Sequence, residues 1–144
     1  LKKAISPYYV TNITENNIPF TGVIEMSSLV DKDHYDGHSL IYLPKYVGPE
    51  DAFFKKTDEE IHEQFKSTLI KMYPHIGEKD IIAMRTAKAP FVFALSTIRY
   101  SDNLPAVKSR VKGIYYANSA LITNGTLNVN ETLGIAHKIS HEYF

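Results

Sequence analysis

The chain has 144 residues, with 16 Lys or Arg balanced by 16 Asp or Glu, 6 His and no Cys. Zero formal net charge with both signs interspersed gives no basic face for nucleic acid and no polybasic run for an anionic membrane. The lack of cysteine excludes disulfides, thiolate metal sites and a cysteine nucleophile, and agrees with a reducing compartment. A domain of this size buries roughly 70% of its extended surface, so a real core is expected. No apolar run approaches the ~20 residues of a membrane span, and the N-terminus has no signal-peptide pattern, so the expected location is cytoplasmic. Sequons at Asn12, Asn124 and Asn130 read as ordinary asparagines without a secretory pathway to modify them. The first residue is Leu1 rather than methionine, and the chain is expected to be a piece of something longer.

In chain order, the β-branched and aromatic residues before Glu15-Asn16-Asn17 predict a strand at about Tyr8 to Thr14. Pro19 to Ser28 predicts a second, antiparallel to the first. Val30 to Gly37 is a charged loop. Ser39 to Val47 predicts a third strand, with Pro44 marking an edge, a bulge or its end. Thr57-Asp58-Glu59-Glu60 is a capping box, and Ile61, Phe65, Leu69 and Met72 repeat at helical spacing, predicting a helix over about Asp58 to Tyr73 closed by Pro74. Ile81 to Ala89 and Phe91 to Ser96 predict two strands, or one strand bent at Pro90. After a turn at Asp102 to Pro105, a charged connector leads to a strand at Ile114 to Ala117. A last helix is expected over about Asn130 to Tyr143, with Leu133, Ala136, Ile139 and Tyr143 on one face. Strands joined by short turns favour an α+β fold, a mainly antiparallel sheet flanked by helices, over a parallel doubly wound sheet.

The stretch that reads most like a site runs from Gly113 to Ala136. A short apolar strand meets a polar turn at Asn118-Ser119, then a loop rich in Asn and Gly, then a helix start near Asn128 to Asn130. Such a loop brings the chain to the free N–H groups of a helix start, which hold oxygen-rich or anionic ligands. Elsewhere the signals are weaker. His34 and His38 are four apart in a Gly-containing loop. His137 and His141 are four apart on the last helix, but Lys138 stands where the zincin pattern needs Glu and no third ligand is evident, so they read as exposed helix histidines and no metal centre is expected. No serine stands in a nucleophile elbow, and neither a Gly-x-Gly-x-x-Gly nor a Walker loop is present. Tyr8, Tyr9, Tyr42, Tyr46 and Tyr100 could wall a pocket, although Tyr also suits any half-buried pleated surface. Arg85 and Lys88, beside apolar residues, either snorkel to solvent or face an anionic group.

Pro7-Tyr8-Tyr9, Pro19-Phe-Thr-Gly-Val-Ile-Glu25, Ile41-Tyr-Leu-Pro-Lys-Tyr-Val47, the Asp58-Glu-Glu-Ile helix, Tyr100 with Leu104-Pro105, and Gly113-Ile-Tyr-Tyr-Ala-Asn-Ser119 together resemble the C-terminal half of FAD-dependent oxidoreductases of the amine oxidase and protoporphyrinogen oxidase superfamily. The resemblance spans nearly the whole chain. It implies a substrate-domain-like region over residues 1–112 and, over 113–144, the strand, loop and helix that return to a Rossmann-type FAD domain. Asn118, Ser119 and Leu127 to Asn130 (Leu127, Asn128, Val129, Asn130) would then lie along the flavin, with backbone amides aimed at its pyrimidine edge. Tyr42, Arg85 and Tyr100 would face a small-molecule substrate, and Lys3, upstream of Pro7-Tyr8-Tyr9, would be a catalytic candidate near the flavin.

Two departures accompany the resemblance. The dinucleotide fingerprint is absent, so the diphosphate half of the site would come from an N-terminal FAD domain of the same parent chain, and no FAD is expected on this chain alone. Asn118 replaces the carboxylate common after the final strand. The expectation is a fragment, inactive by itself, of an enzyme that moves a hydride from substrate to flavin. Two alternatives stand beside it: a non-redox flavoprotein such as a sugar-nucleotide mutase, for which Arg85, Arg99 and Arg110 are few, and a free-standing binding module. The last would hide the Leu121 to Val129 loop, whereas a flavoprotein fragment would expose it.

Overall fold

The computed structural model describes every residue from Leu1 to Phe144. The fold is α+β, and the chain packs as two units, Leu1–Lys88 and Ala89–Phe144. That division follows packing; the boundary implied between residues 112 and 113 follows a family resemblance.

In the first unit β1 (Val10–Asn12), β2 (Gly22–Glu25) and β3 (Ile41–Tyr42) form an antiparallel sheet in the order β1-β2-β3. Val10 lies opposite Ile24 and Asn12 opposite Gly22, while Ile24 faces Tyr42. Gly22 suits its place because a Cβ there would stand 3.2 Å from the Thr11 carbonyl oxygen. All three strands are shorter than expected. Ser39 spends its N–H on the Leu1 carbonyl, and Pro44 has none to give, although its carbonyl still accepts from the Thr21 N–H at 2.8 Å.

α1 (Asp58–Met72) forms where the sequence predicts it. The Thr57 hydroxyl accepts the Glu60 N–H at 3.2 Å and the Glu60 carboxylate accepts the Thr57 N–H at 2.8 Å, which satisfies two otherwise orphaned donors. The helix buries Ile61, Phe65 and Leu69 in one core with Ile5, Phe20, Val23 and Ile76. Phe65 meets Phe20 edge-on at 5.3 Å and stacks on Phe53 at 5.9 Å. Met72 is only partly buried at the end of this row.

The strands expected at Ile81 to Ala89 and Phe91 to Ser96 do not form. From Ile82 to Ser96 no backbone group makes a hydrogen bond within the chain. The residue types suit a strand, but a strand exists only where a partner supplies the other half of its ladder. Side chains alone hold the first part: Thr86 bonds His62 at 2.9 Å, and Lys88 reaches Asp58 and the Lys56 carbonyl.

In the second unit the expected strand at Ile114 to Ala117 reduces to one antiparallel bridge, Lys108 with Tyr115, closed over a turn in which Gly113 takes φ +86°. α2 (Val129–Tyr143) follows and packs on a 3-10 turn at Ser119–Leu121. Of its expected inner face only Ile139 is buried; Tyr143 is half-buried, and Ala136 and Leu133 are exposed. The buried apolar residues of this unit are Ile122 and Ile139. No helix is long and apolar enough to cross a membrane.

Candidate functional site

Two asparagines shape the loop between the Lys108–Tyr115 bridge and α2. The Asn118 side-chain oxygen accepts the Ala120 N–H at 2.9 Å, capping the Ser119–Leu121 turn and leaving its amide NH2 unbound. Asn128 is the N-cap of α2: its side-chain oxygen accepts the Glu131 N–H at 2.8 Å, its NH2 donates to the Thr126 carbonyl at 3.0 Å, and its own carbonyl receives the Thr132 hydroxyl at 2.9 Å. The cap serves one donor, so the N–H groups of Val129 and Asn130 remain free at the positive end of the helix. Gly125, at φ +100°, lies under the Glu131 carboxyl group, 3.2 Å from where a Cβ would stand. Ile122 anchors the loop and every residue from Thr123 to Asn130 is exposed, Val129 by 75%.

Beside this loop is an open polar hollow of about 400 Å³, lined by Ser96, Thr97, Arg99, Tyr100, Ser101, Thr123 and Asn124. The Tyr100 hydroxyl donates to the Ala120 carbonyl at 2.7 Å, which ties the Tyr100–Asn103 turn to the turn that Asn118 caps. That hydroxyl is thus engaged in holding the loop. Arg99 pairs with Asp102 at 2.7 Å from a left-handed backbone, φ 61°. Sequence reasoning gave Arg99, Thr123 and Asn124 no part in this hollow. A left-handed arginine carries no local signal, since this region is normally left to Gly, Asn or Asp.

The remaining candidates lie in the first unit. The Lys3 ammonium is 3.4 Å from the Asp80 carboxylate. The Gly77 N–H, and after it Lys3, hold the Asp80 carboxyl below the usual range. Tyr42 projects from β3 half-exposed, and Arg85 is exposed without an ion pair. Tyr8, Tyr9, Tyr42 and Tyr46 are all exposed, and none packs against another aromatic ring, so they form no aromatic box. No three His, Asp or Glu side chains converge as a metal centre.

Comparison with known proteins gives no match: no protein-family profile, no curated protein and no solved structure matches this chain.

Asn118, Val129 and Asn130 leave donors open to an oxygen-rich ligand: an amide NH2 and two backbone N–H groups on an exposed surface.

Proposed function

We propose that this chain is the substrate-domain and C-terminal portion of a FAD-dependent oxidoreductase, inactive until joined to a Rossmann-type FAD domain of the same parent. The observation that carries the reading is the exposed loop from Thr123 to Asn130, which ends on a helix start with two free N–H groups. A free-standing binding module is expected to hide this loop and a fragment awaiting its other domain to expose it, and the loop is exposed, Leu127 by 43% and Val129 by 75%. When bound, the flavin supplies the hydride acceptor.

The protein's own part is positioning. The N–H groups of Val129 and Asn130, backed by the α2 dipole, favour a partial negative charge beside them. The Asn118 amide adds a neutral donor. Tyr42 and Arg85, exposed in the first unit, are available to a small-molecule substrate, and Lys3, held by Asp80, is the candidate to hold or move a proton. Purifying the parent chain tests the reading directly. It is expected to carry the visible absorbance of an oxidised flavin, whereas the present chain titrated with FAD shows no saturable binding. A parent that is isolated colourless and takes up no added FAD overturns the proposal.

A further inference from the structure

We propose that His137 and His141 form a two-imidazole chelate on α2 for a borderline divalent transition ion, held most tightly as Cu²⁺. Residues four apart on a helix leave the same face one turn from each other, and these two rings stand 4.5 Å apart between centroids, nearly perpendicular at 86°. Both residues are exposed, and no hydrogen bond or ion pair engages either ring, so a nitrogen of each is open to a metal. Neutral imidazole suits copper, nickel and zinc, and among first-row divalent ions copper is bound most strongly.

The position on the helix adds to the ligands. His141 lies in the last turn of α2, where unsatisfied carbonyls leave partial negative charge that favours a cation. Glu142 follows His141 in sequence and offsets the charge of Lys138, which follows His137. Two ligands from one helix leave the other coordination positions to water, so the ion would be exchangeable rather than enclosed as in a four-ligand structural site. The zincin glutamate is absent, so the site binds a metal without a built-in base for hydrolysis.

The other pair with this spacing lacks the geometry. His34 sits in the short 3-10 turn Lys32–Tyr35, and His38 beyond it places Nδ1 3.1 Å from the Tyr35 carbonyl. That contrast supplies the control. The full chain is titrated with Cu²⁺ alone at about pH 7.5, above the range in which imidazole is protonated. Tyrosine fluorescence reports affinity, and electron paramagnetic resonance counts the nitrogens on the metal. One equivalent is expected to bind through two nitrogens. His137→Ala and His141→Ala each weaken it by at least about tenfold with the loss of one chelating arm, while His34→Ala leaves it unchanged. A spectrum showing a single nitrogen donor, α2 variants that bind as the parent does, or an equal loss in His34→Ala would each overturn the assignment. The wild-type spectrum keeps the test decisive even where a variant folds poorly.

Discussion

Glu25, at the end of β2, and Ser39, two residues before β3, are both buried, yet substitution at each should have opposite effects. Glu25 is 1% exposed on β2, and its carboxylate accepts the Ile5 N–H at 3.0 Å and the Ser27 hydroxyl. Glu25→Gln keeps the shape but turns an NH2 toward one of these donors, so it is expected to destabilise the first unit by about 1–3 kcal/mol in urea unfolding. The Ser39 hydroxyl is buried without a partner. Ser39→Ala removes a polar group that already pays for desolvation with no bond in return, and the unfolding midpoint should stay the same or rise. Asp80 adds a dependence on pH. Its folded pKa lies below the unfolded one, chiefly through the Gly77 N–H and then through Lys3. Its stabilisation is therefore complete above the unfolded value, about 4, and is lost as pH falls through the folded one. Thermal melts across that acidic window should show a steeper fall for the wild type than for Asp80→Asn, and a slope that does not change would mean that Asp80 is not a source of acid sensitivity.

The contrast between α1 and the chain from Ile82 to Ser96 is one of hydrogen bonds rather than of residue type. α1 closes its own ladder and buries three apolar side chains. The extended chain closes none, and Phe91 is 92% exposed and Ile98 93%. Amides from Ile82 to Ser96 are accordingly expected to exchange with deuterium at nearly the rate of an unfolded peptide, and those from Ile61 to Met72 to be the slowest in the molecule. Slow exchange from Ile82 to Ser96 would reveal a pairing partner, such as another copy of the chain at an exposed strand edge. The difference also explains what the sequence could tell. The α1 capping box and its i, i+4 row are local, so its position was legible almost to the residue. The start of the last helix, expected near Asn128 to Asn130, falls at Val129 with Asn128 as its cap. Strand propensity at Ile81 to Ser96 was equally plain, but pairing depends on residues distant in sequence, and none arrive. Tyr100 illustrates the same limit at the candidate site: nothing near it in sequence indicates that its hydroxyl bonds the Ala120 carbonyl. For Leu133 the helical period was right and the burial was not, because periodicity gives a face without giving a partner to cover it.

The two units are unequal in what holds them together. Leu1–Lys88 has one contiguous core of seven buried apolar residues, drawn from β2, α1 and the loops around them, whereas Ala89–Phe144 buries only Ile122 and Ile139. Its other apolar contacts are partly open, such as the Tyr115 ring against Tyr143 and Phe144 at 5.0 Å each. A unit of that size with so little buried apolar surface gains little from the hydrophobic effect to set against chain entropy. Urea unfolding should therefore occur in two steps, with resonances of Tyr115 and Ile139 lost at lower urea than those of Phe20 and Phe65. Coincident loss at all four positions would show that the units unfold as one. An early first step bears on function as well as stability. If the parent supplies a FAD domain that covers Leu127, Val129 and the neighbouring exposed surface, the early transition should move toward the later one in the parent chain, because the missing apolar contacts are made there. If the step stays where it is in the parent, the weakness of the second unit is its own, and the exposed loop loses its strongest claim to be half of a larger site.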